Sequence, residues 1–193
     1  LAGVIASLGF ATARTQPFSI SREDGIALSL TARRRWDRAP DVRDATYTEF
    51  TTSNALYQSL DLPGFSRHVL GLRVSGLRRT GNGASPSSIG GASGIIVAAP
   101  VDLGPGTLLL PVRGFARGAR IGTSAWTASA EYRFPLVSVG RGVKLLPLFL
   151  DRVSGALFAD AGDAWCSDEV AGRYLRCADT APGEPLVSAG AEL

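Results

Sequence analysis

The sequence predicts an all-β fold, part of an antiparallel transmembrane β-barrel of about seven strands. Three observations carry that prediction. Segment after segment alternates apolar and polar residues with period two, the spacing of a strand with one polar and one apolar face. No run approaches the roughly 18 uninterrupted apolar residues of a spanning helix, so any membrane crossing has to use strands. The connections alternate short (16–24, 61–67, 135–142) and long (37–45, 80–118, 166–184), as outer-membrane barrels join short turns on one side with long loops on the other. Length and composition do not choose between classes: 193 residues, 45% hydrophobic, with a mean hydropathy of +0.13, suit a globular domain and a barrel equally.

The first strand, 1–15, sets Ala2, Val4, Ala6, Leu8 and Phe10 against Gly3, Ser7, Gly9 and Ala11. The second, 25–36, alternates more cleanly, with Ile26, Leu28, Leu30 and Ala32 opposite Ser29, Thr31, Arg33 and Arg35, and arginines on a polar face suit a wet lumen. Residues 46–60 read as a strand from their Thr and Tyr content, with weak face separation. Asp61-Leu62-Pro63-Gly64-Phe65 is a turn, because proline presets φ and glycine tolerates positive φ. Residues 67–79 form the fourth strand, with Leu70, Leu72 and Val74 opposite Arg73 and Ser75. From 80 to 118 the chain is rich in Gly, Pro, Ser and Asn with no sustained period, a loop long enough to have a function or to be disordered.

Two further strands, 119–134 and 144–165, each carry one acid on a weakly polar face. In the first, Thr123, Ala125, Thr127, Ser129 and Glu131 share one parity and Trp126, Ala128, Ala130, Tyr132 and Phe134 the other. In the second, Ser154, Ala156, Phe158, Asp160 and Gly162 oppose Leu157, Ala159, Ala161 and Trp165. Residues 186–193 begin a seventh strand. Eight strands make the smallest outer-membrane barrels, so these seven are expected to be a fragment that does not close alone. Leu1-Ala2-Gly3 has no initiator methionine or signal-peptide pattern, and the chain contains no Met, which also reads as an internal fragment. A soluble up-and-down barrel or β-sandwich shares the alternation but buries its apolar face, and has less reason for the loop asymmetry.

Three motifs in this region resemble the BamA/TamA-type superfamily of outer-membrane surface-antigen barrels: Val112-Arg113-Gly114-Phe115 in the long loop, Ala130-Glu131-Tyr132-Arg133-Phe134-Pro135 ending one strand, and Phe158-Ala159-Asp160-Ala161-Gly162 in the next. The resemblance implies that the loop enters the barrel lumen and that Arg113 meets Glu131 and Asp160. Read from the residues alone, those three are equally separate solvated charges. The resemblance further implies a bacterial-type outer-membrane protein without cofactor that assists insertion of other outer-membrane proteins or translocates a polypeptide. Its partners would be outer-membrane lipid, client polypeptides, the missing barrel strands and an upstream soluble domain. A passive secretion pore, or the membrane anchor of a fused enzyme such as a patatin-like lipase, are the alternatives.

Other chemistries find little footing. The net charge of +3 is almost all arginine, Lys144 being the only lysine, and apart from Arg33-Arg34-Arg35 the arginines are scattered, which argues against nucleic-acid binding. Asp160 and Asp163 differ in parity, so a strand points them to opposite faces, unlike a glycosidase pair. His68, the sole histidine, has no Ser or Cys arrangement beside it and reads as a strand-end residue at a membrane interface. Gly81-Asn82-Gly83 and Gly90-Gly91 lack the strand-to-helix setting of a phosphate loop. No catalytic residue, metal site or cofactor site is expected. Trp126, Tyr132 and Trp165 fit interface girdles, with isolated aromatics the plainer reading. Cys166 and Cys177 flank a polar loop and lack CxxC spacing; a disulfide in an oxidising compartment fits better than zinc, and two free thiols remain open.

Overall fold

The computed structural model describes residues 2–17, 19–37, 45–91, 110–142, 149–167, 177 and 183–193. In chain order the strands are β1 (Ala2–Ala11), β2 (Gly25–Asp37), β3 (Ala45–Leu60), β4 (His68–Thr80), β5 (Ser87–Ile89), β6 (Arg120–Gly122), β7 (Ser124–Gly142), β8 (Phe149–Trp165) and β9 (Leu186–Glu192). Seven of them make one antiparallel sheet, ordered β1-β2-β3-β4-β7-β8-β9, and β5 pairs with β6 outside it. The sheet is open, with β1 and β9 at its edges. No α-helix occurs among the described residues.

Because paired residues in an antiparallel ladder share a face, parity is carried from strand to strand. One row runs Arg73, Ser129, Asp160, Ser188; the next runs Gly71, Glu131, Phe158, Gly190; a third joins Leu77, Ala125 and Ala164. The polar parity is the face covered over β4, β7 and β8, while β1 is exposed on both sides. Segments 84–91 and 110–123 lie across it, burying Ile89, Leu110 and Val112 against Leu77, Ala125 and Ala164. The apolar parity stays bare.

At the end with short connections, the segment between β1 and β2 crosses the same face. Its Ser19 carbonyl accepts from Arg152 Nη1 of β8 at 2.8 Å, although four strand spacings separate β2 from β8, about 19 Å in a flat sheet. Ile20 lines one cavity with Glu131, Arg133, Ala156 and Glu192.

The structure departs from four expectations and leaves part of a fifth outside the described residues. Residues 135–142 are strand, not turn: β7 runs on to Gly142, and the missing N–H of Pro135 is absorbed where the register shifts, between Pro135 and Val137 and again between Ser138 and Arg141. The expected strand 144–165 is described only from Phe149, and 144–148 lies outside the described residues. The strand expected over 1–15 ends at Ala11. The loop 80–118 is not without structure, since β5 pairs with β6, Ile89 bridges Leu110 and Gly91 bridges Val112; pairings this short leave no period to detect. The strand expected over 119–134 also breaks at Thr123, which is fully buried and accepts from the Arg79 amide (2.7 Å) and, through Oγ1, from the Ser167 amide (3.1 Å).

Candidate functional site

The site forms where the loop crosses β7, β8 and β9. Val112 is fully buried and presses onto Gly162, where a Cβ would stand 2.8 Å from Val112 Cγ2 and 2.9 Å from Thr127 Cγ2. Only glycine lets the loop this close. Gly114 then turns the chain at φ 84°, and Phe115 packs on the cluster that holds Ile89, Leu110 and Val112. Each of those three buried side chains contributes roughly 1.5–3 kcal/mol. Net of desolvation a buried ion pair gains less than that, so apolar packing supplies most of the favourable free energy, while the buried polar contacts set the register and are costly to break one partner at a time.

Between Val112 and Gly114, Arg113 turns into the sheet. Its Nε and Nη2 donate to Oδ2 and Oδ1 of Asp160 at 2.7 and 2.8 Å, a two-point fork, and its own amide donates to Oδ2 at 3.0 Å. Ser129, opposite Asp160, completes the arrangement: its hydroxyl donates to Asp160 Oδ1 at 2.7 Å and accepts from Arg113 Nη2 at 3.0 Å. Nη1 reaches Glu131 and Glu192, both at 3.4 Å. Glu131 has a tighter partner in Arg133, at 2.7 Å. The guanidinium lies 3.7 Å over the Phe158 ring, and Gly190 leaves room for that ring, since a Cβ there would come within 2.7 Å of it. Burial alone would make Arg113 easier to deprotonate. The hydrogen bonds and charge of Asp160, with the charges of Glu131 and Glu192, outweigh it and hold the pKa above the ordinary arginine value.

Two further pairs fasten the same segment. Arg120 Nη1 donates to Asp163 at 2.8 Å, and Asp163 also accepts from the Ala164 and Gly183 amides. Arg79, buried and 2.6 Å from Glu49, donates to the Ser85 carbonyl at 3.0 Å. Cys166 and Cys177 are disulfide-bonded, with Cα atoms 5.6 Å apart, and pack with Ala84 and Ile121 over the end with long connections.

Val112, Arg113, Gly114, Phe115, Glu131, Phe158, Asp160 and Gly162 thus meet in one place. Sequence reasoning missed Ser129, Glu192, Gly190 and the Arg120–Asp163 pair. Ser129 was visible as the residue two before Glu131 on the same parity; Arg120 carried no pattern at all. His68 stands apart, bonded through Nδ1 to the Tyr132 hydroxyl (2.7 Å) and through Nε2 to the Pro63 carbonyl (3.2 Å). Trp126, Tyr132 and Trp165 are half-buried on strands β7 and β8, and Tyr132 stacks on His68 and Phe134. Among the described residues no group of three His, Cys, Asp or Glu is placed to hold a metal ion.

No protein-family model, curated protein or solved structure matches the chain. The arrangement is therefore interpreted from its geometry. Its chemistry is that of a clasp, tying a long loop to three strands through one buried cation.

Proposed function

We propose that this chain is wall and lumen loop of an outer-membrane β-barrel of the BamA/TamA type, serving assembly and insertion of other outer-membrane proteins or translocation of a polypeptide. The observation that carries the reading is the inverted sheet. Val4, Leu8, Phe10, Leu28, Leu30, Phe50, Leu56, Leu70, Leu72, Val74, Leu157 and Val187 share the bare face across all strands but β7, each at least 40% exposed, while Arg113, Asp160 and Glu49 are buried on the other. On β7 the same face carries Ala128 and Ala130 between Trp126 and Tyr132. Monomeric soluble proteins rarely leave more than a few hundred Å² of contiguous apolar surface open, and lipid removes the cost. Along β7, Trp126 and Tyr132 are six residues apart, about 20 Å, close to the ~25 Å apolar band between the aromatic girdles of outer-membrane barrels.

Under this reading the long loop lies in the lumen and the 12–24 segment crosses its opposite end. That occlusion favours a gated machine over a passive secretion pore. The clasp positions the loop against the wall, where a client or a translocating chain would meet it.

The test uses the full-length protein in proteoliposomes, with folding of a small client barrel and ion conductance measured together. Arg113→Ala is expected to free the loop to protease and lower client folding at least several-fold. Steady conductance with no client folding in the unaltered protein would instead support the pore. Unchanged protease protection of the loop in Arg113→Ala would sink the clasp. Hydrolytic activity of the full-length protein that survives removal of the barrel, with no client folding by the intact protein, would support an anchor for an enzyme.

A further inference from the structure

On the bare face, near the long connections, one row of the sheet reads Ala32, Phe50, Arg78, Ser124, Trp165. Phe50 and Trp165 stand about 14 Å apart, three strand spacings. Between them in that row lie Arg78 and Ser124, and one row inward lie Thr52 and Gly76 with Trp126 beyond; Phe50 and Trp165 wall a groove of about 490 Å³ over Thr52, Gly76, Arg78 and Ser124. Gly76 sets its floor, since a Cβ there would already touch Thr52 Cγ2 at 3.3 Å.

Arg78 is exposed at the mouth of the groove and has no ion-pair or hydrogen-bond partner among the described residues. Among the described residues the nearby acids are taken up elsewhere: Glu49 by Arg79 and Arg33, Asp163 by Arg120 and two amides, Glu184 by Arg120. Arg34, one row further out on the same face, rests over the Trp36 ring, 5.7 Å from its centroid, and also has no acidic partner among the described residues. An apolar groove with an uncompensated arginine at its mouth, and a second arginine two strands away and one row further out, matches one occupant at an aromatic belt: a lipid with an anionic phosphate headgroup.

We infer that this groove is a binding site for an anionic phospholipid, its acyl chain between Phe50 and Trp165 and its phosphate on Arg78, with Arg34 supplying a second charge. The inference rests on the membrane reading above and sharpens it, because it assigns one annular lipid a fixed place on an otherwise unspecific face. An arginine near an anionic membrane surface favours such a lipid about fivefold.

The experiment puts the full-length protein, with Trp36→Phe and Trp126→Phe so that Trp165 is the only tryptophan of this segment, into bilayers containing brominated phosphatidylglycerol or brominated phosphatidylcholine. Residual fluorescence from outside the segment is subtracted with a Trp165→Phe control. Trp165 should be quenched at about fivefold lower mole fraction of the anionic lipid; Arg78→Ala should equalise the two lipids, and Gly76→Leu should weaken quenching by both. Equal quenching in the parent overturns the site but leaves the membrane reading standing. No quenching by either lipid overturns both. A preference that survives Arg78→Ala also overturns the site as assigned. Native mass spectrometry of the unaltered protein from mixed bilayers gives a second readout that needs no tryptophan change: one retained phosphatidylglycerol is expected, and about fivefold less retention in Arg78→Ala. Equal retention by the two overturns the assignment.

Discussion

The two faces of this sheet are made by the same strands, yet their burial runs opposite to a water-soluble protein. On β7, Ala125 and Thr127 are buried and Ser129 and Glu131 sit under the loop, whereas Leu70, Leu72 and Val74 of neighbouring β4 are 40–51% exposed on the other side. Strand geometry cannot produce this difference, since both faces come from one ladder. It arises from what lies against each face: a loop carrying its own apolar residues and the paired Arg113 and Arg120 on one side, nothing among the described residues on the other. Polar residues can be the buried set under the loop because Arg113 pairs with Asp160, Arg79 with Glu49 and Arg120 with Asp163.

The covered face breaks hardest at Asp160. Asp160→Ala strands the Arg113 guanidinium, which is only 4% exposed, and should cost about 3–5 kcal/mol of loop docking. Hydrogen exchange of residues 110–115 would read this as loss of protection; unchanged protection would mean the apolar contacts alone fix the loop. The bare face has its own test in Leu72→Arg, at a central position 47% exposed. If that face meets lipid, the charge should lower stability in bilayers by about 2–4 kcal/mol, measured by denaturant titration of refolding into vesicles. A change within about 0.5 kcal/mol is what a water-facing site would give.

Gly162→Leu brings the comparison back to packing, because it pushes Val112 off the sheet without touching any charge. Overpacking of this kind costs about 1–3 kcal/mol. Faster proteolysis of the loop with an intact barrel is the expected result, and an unaffected loop would show that Val112 is free to move aside.

The smallest effect lies at the rim, outside both faces. Asp24 accepts from the Ser59 hydroxyl (2.6 Å) and amide (2.7 Å) and lies 3.8 Å from Arg67. These contacts, the Ser59 hydroxyl first, hold its carboxyl below the ordinary value of 3.8. With the folded pKa depressed, the stability contributed by the Asp24–Ser59 contact is fully present above pH 3.8 and is lost as pH falls through the lower folded value. The Ser59 amide shift should titrate with a midpoint below 3.8 and stop doing so in Asp24→Asn. A midpoint at or above 3.8 would show that the hydrogen bonds do not favour the carboxylate.

Much of the strand plan was legible because alternation is local: Leu70, Arg73 and Val74 sort themselves by position alone. The site was legible only in pieces. Parity placed Glu131 and Asp160 on one face, but Arg113 was singled out by its motif, and Ser129 was passed over although it stands opposite Asp160. The extension of β7 past Pro135 was hidden because a proline reads as a turn until a partner strand is there to absorb it with a bulge.

By itself, then, the sequence determined strand period, face polarity and the absence of any apolar run long enough for a spanning helix, all properties of neighbouring residues. The tertiary structure decided which face is covered, that Asp160 and not Glu131 takes the two-point grip of Arg113, and that Glu192 joins from 79 residues away. Those choices depend on register and on the path of a loop across three strands, and free energy spread over contacts that distant in sequence leaves no local pattern to read.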